Sequence, residues 1–142
     1  MQLSTKVRYA ARAMIELTLC YNNSEPIQLN DIACKQDISV KYLEQIMAPL
    51  RARGYVRTQK GSRGGYHLSS DPNSITLYDI VESVEGSISP VNCIDDQSCS
   101  RWDQCVTRTV WQRMREAMKN ELQAKTLAEL ASEQEKIYLS QN

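Results

Sequence analysis

LNDIACKQDISVKYLEQIMAPLRARG, residues 29–54, decides how this chain is read. Leu29, Ile32 and Ala33 recur at helical spacing in a short first segment that runs to about Lys35, and Gln36-Asp37-Ile38 then makes a tight connection. Ser39 follows as a helix N-cap, since its hydroxyl can accept a hydrogen bond from a free backbone N–H of the first turn. From there Leu43, Ile46, Met47 and Leu50 form one apolar stripe running to about Arg53, and Gly54 ends it. Pro49 falls inside this second segment and predicts a kink or a loosened turn. Short helix, turn and longer basic helix make a helix-turn-helix layout, in which the second helix enters a DNA groove.

Working outward, Ser4 is placed to cap a preceding helix with Ala10, Ala13, Met14, Leu17 and Tyr21 on its inner face, closed by the turn Asn22-Asn23-Ser24-Glu25-Pro26. On the other side, residues 55–59 and 66–69 read as two short strands around Lys60-Gly61-Ser62-Arg63-Gly64-Gly65. A hairpin with a glycine-rich, cationic tip is a wing. The same glycines could cradle a nucleotide phosphate, but no Walker lysine-threonine pair and no helix start follow them. The fold expected is mainly α with a small β-hairpin: a winged helix-turn-helix domain plus a long dimerisation helix.

The formal net charge of zero conceals an asymmetry. Residues 1–72 carry ten Lys or Arg against six Asp or Glu, a balance of +4, and residues 73–142 carry seven against eleven, a balance of −4. Between Lys41 and Arg63 six cations face one acid, Glu44. Such a block serves either as a solvated helix face or as a surface for a polyanion, and the helix-turn-helix pattern favours the polyanion.

Beyond the wing, Thr76 caps a helix carrying Leu77, Ile80, Val81 and Val84 that ends at Gly86. An acidic, loop-like stretch from Ile88 to Cys105 follows, with Cys93, Cys99 and Cys105 at even intervals. Soft thiolates so close together suit an iron-sulfur cluster, zinc or thiol redox chemistry. Two five-residue gaps and no nearby histidine count against zinc. After Cys105 a long helix is expected, with Val106, Val110, Trp111, Met114, Met118 and Leu122 on one side. That stripe needs cover, and a second copy of the chain is the economical answer. The segment from Thr126 reads as a last short helix before an unstructured end. Cys20 and Cys34 read as buried core residues. The organisation expected is a DNA-binding domain over 1–86, a cysteine-containing cluster loop over 87–105 and a dimerisation helix with its tail over 106–142.

No apolar run is long enough to span a bilayer and the start lacks the apolar stretch of a signal peptide, so a cytoplasmic protein without a membrane partner is expected. Five cysteines in that reducing compartment argue against a disulfide framework. One histidine, His67, lies on a wing strand, where a surface or packing role is expected. With no paired carboxylates and no nucleophile-base arrangement, the sequence is not expected to be an enzyme.

The segments LSTKVRYAARAMIEL, DIACKQDISVKYLEQIMAPLRARGYV, KGSRGGYHL and ITLYDIVESVEGSISPV resemble the winged-helix iron-sulfur cluster regulators typified by IscR, NsrR and CymR, over nearly the whole chain. The C-x5-C-x5-C spacing is similar to that of the cluster-binding members. The resemblance implies a homodimeric transcription factor, a repressor, on a palindromic double-stranded operator. Its iron-sulfur cluster on Cys93, Cys99 and Cys105, of the 2Fe-2S type ahead of 4Fe-4S, would sense iron-sulfur status or oxidative or nitrosative stress, with cluster-assembly proteins as partners. The alternative is a cluster-free, CymR-like repressor controlled by thiol oxidation or by a partner protein. Where IscR-type members place a histidine ligand, three residues after the third cysteine, this chain has Arg108, which stays protonated and cannot ligate iron. Where NsrR-type members borrow an aspartate from the partner's first helix it has Arg8. Asp95, Asp96, Asp103, solvent or a small thiol remain as a fourth ligand.

For DNA, helix-turn-helix geometry puts Lys41, Tyr42 and Gln45 at base edges, Ser39 at a phosphate, and Glu44 where it accepts from cytosine or repels wrong sites. These positions also match the recognition residues of the family. Lys6, Arg8, Lys60 and Arg63 are assigned to phosphate or minor-groove contacts.

Overall fold

Residues 2–142, described by a computed structural model, begin with α1 (Thr5–Leu19), α2 (Leu29–Gln36) and α3 (Val40–Ala52). Ser4 and Ser39 are N-caps whose hydroxyls accept from the backbone N–H of Val7 and of Tyr42, at 3.3 and 3.1 Å. The turn between α2 and α3 passes through Asp37 in the left-handed region at φ 54°, and α3 is closed by Gly54 at φ 81°. Helix α3 runs on through Pro49 without a break. Its neighbours Met47 and Leu50 are both fully buried, and their packing, about 1.5–3 kcal/mol for each side chain, outweighs one missing backbone bond.

Strands β1 (Val56–Gln59) and β2 (Gly65–Leu68) form the wing, in antiparallel register from Val56 opposite Leu68 to Gln59 opposite Gly65. A third segment joins them. Ile27, in the α1–α2 connection, donates to the Tyr66 carbonyl at 3.0 Å and accepts from the Tyr66 N–H at 2.8 Å. Gly65 makes this possible, because a β-carbon there would strike the Ile27 carbonyl.

Helix α4 (Leu77–Glu85) opens with a reciprocal capping box between Thr76 and Asp79. Short α5 (Cys93–Asp96) and a single 3₁₀ turn, Trp102–Gln104, punctuate the cysteine stretch, then α6 (Arg108–Gln123) and α7 (Leu127–Ser140) complete the order. The core centres on α1, with Ala10, Ala13, Met14 and Leu17 meeting Ile32, Leu43, Ile46, Leu50, Ile80 and Leu127.

Four expectations change. The chain beyond Thr126 is a fourteen-residue helix with its own Thr126–Glu129 capping box. It folds back on α1 and sends the wholly buried Leu127 into the core. Helix α1 stops at Leu19, so Tyr21 is exposed and lies outside the apolar stripe. The long helix begins at Arg108, leaving Val106 before it at 88% exposure. Cys34 is exposed and Cys20 only half-buried, because the inward face of α2 is made by Ile32, Ala33 and Gln36 and Cys20 is the C-cap of α1.

Candidate functional site

Helix α3 presents Lys41, Glu44 and Gln45 to solvent, as the wing presents Lys60 and Arg63 at its tip and α1 presents Lys6 and Arg8 in its first turn. Lys6, Lys41, Glu44, Gln45, Lys60 and Arg63 have no side-chain hydrogen bond or ion pair among the described residues, so their polar groups are free for a ligand. Arg8 donates to Thr5 Oγ1 at 3.2 Å. Ser39 already accepts the Tyr42 N–H, which leaves its hydroxyl proton to donate. Tyr42 is half-buried, its ring edge-on to Tyr9 with centroids 6.1 Å apart, and it thereby holds α3 on α1. Arg53 is drawn off the basic block to Glu82 of α4 at 3.4 Å.

The cysteine segment is pinned at few points. Ile94 is its buried anchor. Arg115 of α6 donates to the Ile94 carbonyl at 3.3 Å and lies 3.8 Å from Asp95, and Ser87 donates to Asp95 at 2.8 Å. Cys99 is exposed, Cys93 and Cys105 are half-exposed, and all three are free thiols. The Cys105 sulfur is 3.3 Å from Thr107 Oγ1. That hydrogen bond, followed by the backbone N–H groups of Arg108 and Thr107 and last by the Arg108 charge, holds the Cys105 thiol below the usual cysteine range.

Arg108 itself is held against Trp102. Its guanidinium carbon sits 4.7 Å from the Trp102 ring centroid and Nη1 donates to the Trp102 carbonyl at 2.6 Å. Of the three aspartates, Asp95 is shared between Ser87 and Arg115, and Asp96 accepts from the backbone and hydroxyl of Ser98. Asp103 is the most open, 3.9 Å from Arg108 and with its side chain almost wholly exposed.

As a donor set, three accessible thiols fit a soft iron-sulfur group at three corners. As an arrangement they stand apart: among the described residues no three Cys, His, Asp or Glu side chains are gathered to hold a metal ion. His67 is on β2, with Nε2 2.8 Å from Gln59 Oε1 and burial lowering its pKa.

Sequence reasoning missed a buried charge. Glu16, 3% exposed, accepts from Lys35 of α2 at 2.9 Å and from the Tyr138 hydroxyl of α7 at 2.7 Å. A carboxylate beside an apolar stripe was the available signal, but neither partner is near it in sequence.

A helix-turn-helix with an open polar face on α3 and a glycine-tipped wing defines a winged-helix DNA-binding transcriptional regulator. Residues 3–133 match the family model described as Rrf2, iron-dependent transcriptional regulator, and the chain belongs to that family. It is 41% identical to the HTH-type transcriptional regulator CymR of Bacillus subtilis over 93% of this chain and 91% of that protein. It is 36% identical to the regulator IscR of Yersinia enterocolitica over 95% of this chain and 82% of that one. The solved structure of CymR, the global cysteine regulator of B. subtilis, superposes with a TM-score of 0.78 at 39% identity, covering 93% of this chain and 97% of that chain. These relatives are regulators and not enzymes. No helix of the described residues is long and apolar enough to cross a membrane.

Proposed function

We propose that the chain is a homodimeric repressor, acting in the cytoplasm on a palindromic operator, whose grip on DNA is set by an iron-sulfur group held on Cys93, Cys99 and Cys105. The observation that carries this reading is the position of three free, accessible thiols on one weakly anchored segment between α4 and α6. Cys99 is exposed, so packing gives no reason for a cysteine there. When bound, such a group supplies one-electron chemistry and reactivity toward oxygen and nitric oxide, with 2Fe-2S preferred to 4Fe-4S. The chain's own residues do the rest. Arg115 ties the segment to α6 through Ile94 and Asp95, so ordering the thiols acts on α6 directly. No side chain of α6 is buried, which supports a second copy as the cover for Val110, Trp111, Met114, Met118 and Leu122. Recognition is assigned to Lys41, Tyr42, Glu44 and Gln45, and backbone contacts to Lys6, Arg8, Ser39, Lys60 and Arg63. Cluster-assembly proteins are the partners that would load it.

The cluster-free reading, control by oxidation of the same thiols or by a partner protein, is favoured by one observation: Arg108 occupies the fourth-ligand position and is locked onto Trp102. Iron and acid-labile sulfide per chain, with a visible spectrum, on protein purified without oxygen separate the two. Iron and sulfide in the parent and their loss in Cys99→Ala support the cluster. Colourless protein that resists anaerobic reconstitution supports thiol or partner control.

A further inference from the structure

Cys20 and Cys34, the two cysteines outside the loop, line one groove of about 530 Å³ between the end of α1, the α1–α2 connection and α2. Both thiols are free, Cys34 exposed and Cys20 half-buried. Lys35 follows Cys34 in the chain and reaches Glu16, one helical turn before Cys20, at 2.9 Å. The Lys35–Glu16 ion pair thus lies in the wall of the same groove as the two thiols. Cys20 also has leverage. It caps α1 through its backbone N–H and leads into the connection whose Ile27 is hydrogen-bonded into the wing at Tyr66, while Cys34 lies on the helix that precedes α3.

We propose that Cys20 and Cys34 form a second switch, a dithiol inside the winged helix that small-molecule disulfides oxidise to an intramolecular disulfide. The exposed Cys34 thiolate attacks one sulfur of the small disulfide, whose S–S bond breaks and releases one small thiol. Cys20 then attacks the Cys34 sulfur of the mixed disulfide, forming the protein S–S bond and expelling the second small thiol. The protein loses two electrons and two protons, and the small disulfide is reduced to two thiols. Closing the bond draws the C-cap of α1 onto α2 and shifts the connection that positions the wing relative to α3, which weakens DNA binding.

Trypsin leaves both residues on one peptide, Ala13–Lys35, separate from the peptides that carry the loop cysteines. After treatment of the full chain with oxidised glutathione, that peptide should be lighter by two hydrogens and resist iodoacetamide until reduced. Cys20→Ser should instead retain glutathione on Cys34. Affinity for a short mixed-sequence duplex at low salt should fall about fivefold or more on oxidation of the parent and change much less in Cys20→Ser, whose loop thiols are intact. Full alkylation of both cysteines after oxidant, a stable glutathione adduct on Cys34 of the parent, or equal loss of affinity in the two proteins would each overturn the proposal. Because Ala13–Lys35 is read separately from the loop, the result stands apart from whether Cys93, Cys99 and Cys105 hold iron.

Discussion

The guanidinium of Arg108 is stacked on the Trp102 ring at 4.7 Å and donates to the Trp102 carbonyl at 2.6 Å, so one side chain clasps the turn that delivers Cys105 to the start of α6. A cation in that place braces the thiol segment and supplies no lone pair for a metal.

Replacing it should convert a brace into a ligand. Arg108→His is expected to slow the loss of iron in air several-fold relative to the parent, measured by the decay of visible absorption after anaerobic reconstitution. Decay at the parent rate would place the fourth ligand elsewhere.

Glu16 joins three helices through Lys35 and Tyr138, so Glu16→Gln should cost about 1–3 kcal/mol, because a buried carboxylate that accepts two hydrogen bonds is lost. The Lys35 ammonium is held above its ordinary value of 10.5, chiefly by its hydrogen bond to Glu16. The folded chain thus binds that proton more tightly than the unfolded one. Its stabilisation is complete below the ordinary value and is lost as pH climbs through the raised one. The gap in urea midpoint between parent and Glu16→Gln should therefore be constant through neutral pH and narrow only in strong alkali. A gap that narrows toward neutral pH contradicts this assignment.

Gly65→Ala should weaken the junction of wing and α1–α2 connection, since the new methyl meets the Ile27 backbone, which cannot swing aside as a flexible side chain would. The expected cost is about 1–3 kcal/mol in denaturant stability. An unchanged midpoint would mean the pairing of Ile27 with Tyr66 is dispensable.

What could be read from the residues alone was local. The caps at Ser4, Ser39 and Thr76, the inner faces of α1 and α3, and the wing follow from spacing and turn chemistry that act over a few residues. The last helix starts where the sequence puts it, after Thr126, but its length has a tertiary reason. Its amphipathic face is weak, and only packing on α1, with the Leu127 N–H bonded to the Ile75 carbonyl at 2.8 Å, reveals a core helix. Cys34 was misplaced by a shift of one position on an eight-residue helix, where periodicity is short of turns to average over. At the candidate site, the exposed positions on α3 and the wing followed from the pattern. The partners of Glu16, 19 and 122 residues away, and the clasp of Arg108 on Trp102 did not.

The two kinds of DNA contact should separate in solution. Lys60→Ala is expected to weaken binding to all sequences alike and to lower the salt slope by about one, whereas Gln45→Ala should relax preference at particular base pairs for about 1–3 kcal/mol. Equal losses for both variants across a panel of half-site mutations would contradict that division.

The most direct test of the central claim is the affinity of one duplex, selected by this protein from a random pool under anaerobic conditions, for the iron-loaded and the iron-free chain at fixed salt. A thiol segment coupled to α6 predicts that the two affinities differ by about tenfold or more, and that Cys99→Ala behaves as the iron-free chain under either treatment. Equal affinity for the selected duplex, with iron demonstrably bound in one sample and absent from the other, would contradict it.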